Sequence, residues 1–251
     1  VVDGDWLWSG GRNFASEYFV EDSDGTPPWE DLSFSTHGPL ALQALASFDD
    51  AWQDSGGSLP ASGAASATNS SLEGAPAQWV ESGPDRPDDV LFMLLLTAIF
   101  HARTRILAVT PYFVPDDSLL TALEMAARRG VTVDLLVPRR SNHRLADLAG
   151  ADALRQLAGM GARIHRLDHM VHAKALVIDD EFAWCGSANL DTRSLFLNYE
   201  AVTVFYGAAE VAAIAGWIET RIARATRWPG STPTLTRAFV EGVVRHLAFQ
   251  M

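Results

Sequence analysis

From residue 88 onward, apolar positions alternate between a helical period and a strand period. Residues 88–103 are apolar around nearly every turn. Asp88 and Asp89 precede this run and His101, Arg103 and Arg105 close it, matching acid to the start and base to the end of a helix dipole. A buried helix is expected there, because the apolar core at 90–100 falls short of the ~20 residues a bilayer requires. Residues 105–110 read as a strand closed by Pro111. Residues 117–129 read as a helix with Gly130 at the place of a C-cap glycine. A β-rich run at 131–137 ends on Pro138, 145–160 is helical, and 162–167 is extended. Two further β-type runs, 171–178 and 182–185, flank the turn-forming pair Asp179-Asp180. A strand at 201–206 and a helix at 210–224 complete the alternation, which predicts an α/β layer fold.

Residues 54–76 break this pattern. They are small, polar and poor in bulky apolar side chains, so they read as a flexible linker between residues 1–53 and residues 77–251. With 48% hydrophobic residues in a chain of 251, both parts have material for a core. The formal net charge of −12 argues against a protein whose main task is gripping nucleic acid. The single cysteine, Cys185, lies in an apolar run and reads as a packing residue. The chain opens at Val1, without a signal peptide, on residues that look like a strand already under way. A truncated chain is the expectation.

The two ends of the chain share a repeat. Asp3, Gly10 and Asn13 have the spacing of Asp179, Gly186 and Asn189, with Trp8 and Trp184 at the same offset. The second copy holds more chemistry. His172 and Lys174 stand two apart on an expected strand and so share a face, with Ala173, Ala175 and Val177 on the other. An imidazole beside an ammonium suits phosphate chemistry, since one attacks phosphorus or shuttles a proton and the other supplies charge. Ser187 and Asn189 are expected to donate to phosphate oxygens, and Glu200 to hold His172 in one tautomer.

The string His172-x-Lys174, Asp179, Gly186-Ser187-x-Asn189 resembles the signature of the phospholipase D superfamily. Thr110-Pro-Tyr-Phe-Val-Pro, Leu136-Val-Pro and the run from Gly186 to Glu200 resemble its bacterial cardiolipin synthases, as do Trp29-Glu-Asp and His37-Gly-Pro near the start. The resemblance implies a phospholipase-D-like α/β fold, with a mixed sheet flanked by helices and two pseudo-repeated lobes, the first of them incomplete. It implies catalytic roles for His172, Lys174, Asp179, Ser187, Asn189 and Glu200, and substrate contacts from Gly11, Asn13, Tyr112 and Arg193. It further implies phosphatidyl transfer through a phosphohistidine, with phosphatidylglycerol or a related phospholipid as substrate. The expected location is the cell membrane at its cytoplasmic face, with no cofactor, metal or nucleic-acid partner. The first copy's His and Lys would fall upstream of Val1, so this chain alone is expected to turn over little. His172 is then the expected general acid. A hydrolase or nuclease of the same superfamily and a catalytically dead lipid-binding fragment are the alternatives.

Other features carry weaker expectations. Asp31 is a candidate orienting acid of the first copy. Arg139, Arg140, His143 and Arg144 form a basic cluster that faces either solvent or bilayer phosphates. Arg193 either contacts a lipid phosphate or pairs with Asp191. His165 and His169 lack the helical, glutamate-bearing context of a zinc site. Residues 237–251 place Phe239, Val243 and Leu247 at helical spacing, for packing on the body or lying on a membrane.

Overall fold

The computed structural model describes residues 1–59, 74–85 and 88–248, so most of the expected linker, residues 60–73, lies outside the described residues. The elements after the linker begin with β3 (Ala77–Ser82), α2 (Val90–His101), β4 (Arg105–Val109) and β5 (Phe113–Val114). Then come α3 (Asp117–Arg128), β6 (Thr132–Pro138), α4 (Arg144–Gly159), β7 (Arg163–Leu167) and β8 (Ala175–Ile178). The chain closes with β9 (Phe182–Gly186), β10 (Leu190–Asp191), α5 (Thr192–Phe196), β11 (Glu200–Phe205), α6 (Ala208–Ile222), β12 (Thr226–Trp228) and α7 (Leu235–Ala248). Eight of these strands form one mixed sheet in the order β12-β7-β6-β4-β8-β9-β11-β3, parallel from β7 through β4 and antiparallel elsewhere.

Strand alternation builds a three-layer body. Ile106, Ala108, Val133, Leu135, Leu176 and Trp184 face one core with α2, α3 and α4, while Leu107, Val109, Leu136, Val177 and Cys185 face a second under α6. Both faces of the central strands are therefore covered, which is why they read as continuous apolar runs. Among the described residues no helix is long and apolar enough to cross a membrane.

Before the linker, β1 (Trp6–Gly10) and β2 (Ser33–His37) pair antiparallel and α1 (Pro39–Asp54) follows. Leu7, Leu40, Ala41 and Ala44 form a small core of their own, and Phe34 meets Phe205 of β11 edge-on at 5.1 Å.

The internal repeat is present in the backbone. Asp3 and Asp179 both adopt a left-handed φ of 53°. Val2 bridges Trp6 as Ile178 pairs with Phe182, and Gly10 opposes Ser33 as Gly186 opposes Val202. At each glycine a side chain would strike a carbonyl, Leu32 O at 2.4 Å or Ala201 O at 2.3 Å. This register makes Asp31 the counterpart of Glu200.

One expectation needs revision here. The strand predicted over 171–178 joins the sheet only from Ala175. Ahead of it the chain turns to the first copy: Val171 bridges Glu30 in parallel, and the His172 amide donates to Glu30 O at 2.7 Å.

Candidate active site

His172 and Lys174 lie beside the edge of β8 where the first copy's segment 29–32 crosses it, and they are 8% and 5% exposed. A buried imidazole and ammonium need partners. Asp31, whose side chain is fully buried, provides the main one, with Oδ2 2.9 Å from His172 Nδ1. Its Oδ1 accepts from the Leu32 amide at 2.7 Å, which fixes the carboxylate. The carboxylate assigns the proton to Nδ1 and leaves Nε2 as the acceptor nitrogen. Lys174 Nζ donates to the carbonyl of His172 at 2.6 Å and lies 3.1 Å from Nε2. Its 2.5 Å approach to Nδ1 is a close charge contact, since that nitrogen already serves Asp31.

Burial is the largest influence on both groups. It lowers the His172 pKa, against the opposing effect of Asp31 and with the help of the Lys174 charge. It brings Lys174 down to about 8, although Asp31 and Glu200 both work to raise it.

Gly11 and Asn13 reach this site. A side chain at position 11 would come within 2.6 Å of Asp31 Oδ1 and 3.1 Å of Lys174 Cδ, so glycine there allows the acid and the lysine to converge. Asn13 acts through Tyr18, donating to its hydroxyl at 3.2 Å. That hydroxyl lies 3.1 and 3.2 Å from the two ring nitrogens of His172. Tyr112 closes another side, with its ring 6.3 Å from the imidazole and its hydroxyl donating to Asn142 at 2.6 Å. Burial pushes the Tyr112 phenol up to about 12.

The sequence reading missed two walls. Tyr18 is 3% exposed and Trp29 is tilted over the imidazole at 5.5 Å. Trp29 figured only in a family resemblance, and Tyr18 sits in a polar stretch without periodicity.

Other expected groups stand away from the His172 imidazole. Glu200 does not orient His172; it accepts from Asn198 at 3.2 Å, and burial raises its pKa against hydrogen bonds from Ser187, Asn198 and Ser194. Ser187 and Asn189 belong to this neighbouring cluster: the Ser187 hydroxyl bonds both backbone groups of Ala201, and Asn189 Nδ2 donates to Ser194. Asn189 Oδ1 is buried without a hydrogen-bond partner among the described residues. Arg193 is exposed and donates to Asn198 at 3.1 Å, so it braces the residue that holds Glu200.

Asp179 lies at the far end of β8, about 13 Å or more along the strand from Lys174. There it accepts from the amides of Arg103, Thr104 and Arg105 at 2.8–3.0 Å and from the Thr104 hydroxyl at 2.7 Å. Burial would raise its pKa, but these bonds outweigh burial and hold it below the carboxylate range. Its task is to pin the start of β4 to the β8–β9 turn. Asp179→Ala is expected to lower stability by about 2–4 kcal/mol, from lost bonds and an alanine forced to positive φ. A urea titration checks this, and the loss should shrink as pH falls through the depressed carboxylate pKa.

Among the remaining candidates, His165 bonds Asp134 at 2.6 Å and His169 bonds Glu30. Glu30 also pairs with Arg221 and Arg224 of the α6 region at 2.7 Å, which anchors the segment carrying Asp31. Among the described residues no cluster of acids, histidines and cysteine has the makings of a metal site.

Known proteins resemble this chain in architecture and in sequence. The phosphatidylserine synthase structure of Haemophilus influenzae covers 98% of this chain and 67% of its own at a TM-score of 0.70 and 14% identity. The phospholipase D family member Nuc of Salmonella typhimurium covers 63% of this chain and all of its own at a TM-score of 0.53 and 23% identity. These likenesses establish the fold. The chain is 30% identical over 253 residues to cardiolipin synthase A of Pectobacterium carotovorum, covering 99% of this chain and 52% of that protein. It is 32% identical over 208 residues to cardiolipin synthase A of Salmonella arizonae, covering 81% and 43% respectively. The chain thus spans about half the length of the curated relatives it matches. Residues 95–222, just over half of the chain, match the family model described as cardiolipin synthase, PLD-like domain, and the chain belongs to this phospholipase-D-like family.

Proposed function

We propose that this chain forms one half of a two-histidine phosphatidyltransferase of the cardiolipin synthase type, acting on phospholipids at a membrane surface. The observation that carries this reading is an acid of the first motif copy placed on the imidazole of the second, half of an exchange of acids between the copies. Asp31, from the first copy, serves the imidazole of the second. Glu200, its counterpart by register, meets no imidazole among the described residues and stands beside Lys174, where the first copy's histidine would complete the site.

In this reading the first-copy imidazole attacks phosphorus, and the bond to the leaving alcohol breaks as the phosphohistidine forms. His172 Nε2 gives its proton to that alcohol's oxygen. It then takes a proton from the incoming lipid alcohol, whose oxygen attacks phosphorus and releases the first imidazole. Burial keeps free His172 largely neutral, and the negative phosphodiester reverses this by favouring imidazolium. Lys174 supplies fixed positive charge to the phosphate oxygens, and Tyr18 and Trp29 keep the imidazole in a dry box. The scheme draws on no metal or organic cofactor. The 251-residue chain alone is expected to show little or no turnover.

The test uses a protein that carries both motif copies, incubated with phosphatidylglycerol and separately with DNA. The expected result is a two-phosphate lipid product plus glycerol, reduced at least ~10⁴-fold by His172→Ala. Cleavage of DNA with the lipid unchanged would sink the reading, and release of phosphatidate alone would favour a hydrolase.

A further inference from the structure

A cleft of about 380 Å³, open mouth included, lies on the other side of Tyr112 from His172. It opens between the first turns of α4 and the C-terminal ends of β6 and β7, the sheet edge from which the chain continues to His172. Its walls include Pro138, Arg139, Asp147, Gly150 and Arg166. Gly150 lets α4 close against β5, since a side chain there would strike the Phe113 carbonyl at 2.0 Å.

Arg166 is the unusual group. Its guanidinium is half-buried and lies 3.8 Å from the Trp228 ring centroid. Among the described residues it donates no hydrogen bond and forms no ion pair. Arg139 is already paired with Asp168 at 2.8 Å, and Arg237 is a further nearby cation. Asp147, the single carboxylate among the lining residues, accepts from the Ser141 amide at 3.1 Å. Asp147 also favours the Arg166 charge without a hydrogen bond to it, so the planar fork of donors, held by stacking, keeps its hydrogen-bonding capacity for an acceptor such as a phosphate. The α4 N-terminus adds partial positive charge at the cleft. Its rim carries exposed Arg140, His143 and Arg144 beside Leu145, a basic and apolar border on a chain of net charge −12.

We propose that this cleft is a second phosphate subsite, in which Arg166 holds the phosphate of a second phospholipid headgroup while Tyr112 separates it from the phosphate at His172. This rests on the transferase reading for its purpose, since that reaction brings two phospholipids together. Its binding test does not depend on turnover.

The 251-residue chain is labelled with 5-fluorotryptophan, and the Trp228 resonance is assigned through Trp228→Phe. Short-chain phosphatidylglycerol below its micelle concentration is titrated in, and inorganic phosphate in parallel. Both are expected to shift the Trp228 resonance saturably. R166Q should weaken that response at least tenfold and R166K by less, with His172→Asn leaving it in place. A shift with inorganic phosphate but none with the lipid headgroup overturns the assignment. So does a response that R166Q leaves unchanged, or one lost in the His172 variant. If transfer fails in the two-copy protein while the Trp228 response persists, the transferase reading falls and the subsite stands.

Discussion

Asp31→Asn is expected to cut phosphatidyl transfer by a two-copy protein about 10³–10⁴-fold while changing KM little. The comparable change in the serine protease triad costs about that much. Asparagine has the shape of aspartate, so the fully buried pocket around residue 31 stays filled. The hydrogen bond at 2.9 Å to His172 Nδ1 changes in kind, because an amide NH₂ facing Nδ1 moves the imidazole proton to Nε2. Nε2 is then no longer an acceptor for the incoming alcohol's proton. Asp31 also works to raise the His172 pKa, so its neutralisation should lower that pKa further and move the alkaline limb of the pH–rate profile, set by loss of the imidazolium, downward. An NMR titration of the imidazole in the 251-residue chain reads the second effect without any turnover. Transfer within tenfold of wild type, or an unmoved His172 titration, would remove Asp31 from its proposed role. By the exchange of acids, Glu200→Gln should damage the first-copy histidine instead and leave the His172 titration nearly in place.

This exchange marks the limit of what the sequence discloses. The α/β alternation was legible because the central strands are covered on both faces and their ends carry breakers such as Gly130 and Pro138. The repeat was legible because two backbone turns require the same residues: an aspartate at positive φ and a glycine packed on a carbonyl. The partner of each carboxylate was not. Asp31 and His172 are 141 residues apart, and local spacing favours Glu200, which follows the motif on β11. Pairing is decided instead by the anchoring of segment 29–32, through the parallel bridge at Val171 and the cations gathered on Glu30. The place of Asp179 was hidden for a related reason. Its membership in the motif does not distinguish chemistry from the capping of a strand that begins 74 residues earlier. Tyr18 and Trp29 carried no periodic signal, because a wall of a site is defined by what it touches.

Lys174→Met is expected to abolish transfer and, at the same time, to make the chain more stable. Lys174 is 5% exposed and its pKa falls to about 8, because burial penalises the ammonium more than Asp31 and Glu200 favour it. An unfolded lysine titrates near 10.4. Between pH 8 and that value the unfolded chain binds more protons, so stability rises with pH across the window. Below pH 8 the full penalty is present, at ~3 kcal/mol as an upper bound from 1.36 kcal/mol per unit. Methionine fills nearly the same space without the charge. It leaves the buried Asp31 carboxylate with the largely neutral His172 ring and the Leu32 amide as its partners, which returns part of the gain. A net stabilisation of about 1–3 kcal/mol at pH 7 is therefore expected, with the rise between pH 8 and 10 flattened in the variant. Urea unfolding of the 251-residue chain at pH 7 and pH 9.5 measures both. A variant less stable than wild type at pH 7 would mean that the ammonium is bound by its neighbours more strongly than burial opposes it. Lys174 would then be a structural cation, and the charge at this site would cost the fold nothing. The expected result is the opposite: the fold gives up stability to keep a desolvated positive charge beside an imidazole, as phosphate chemistry there requires.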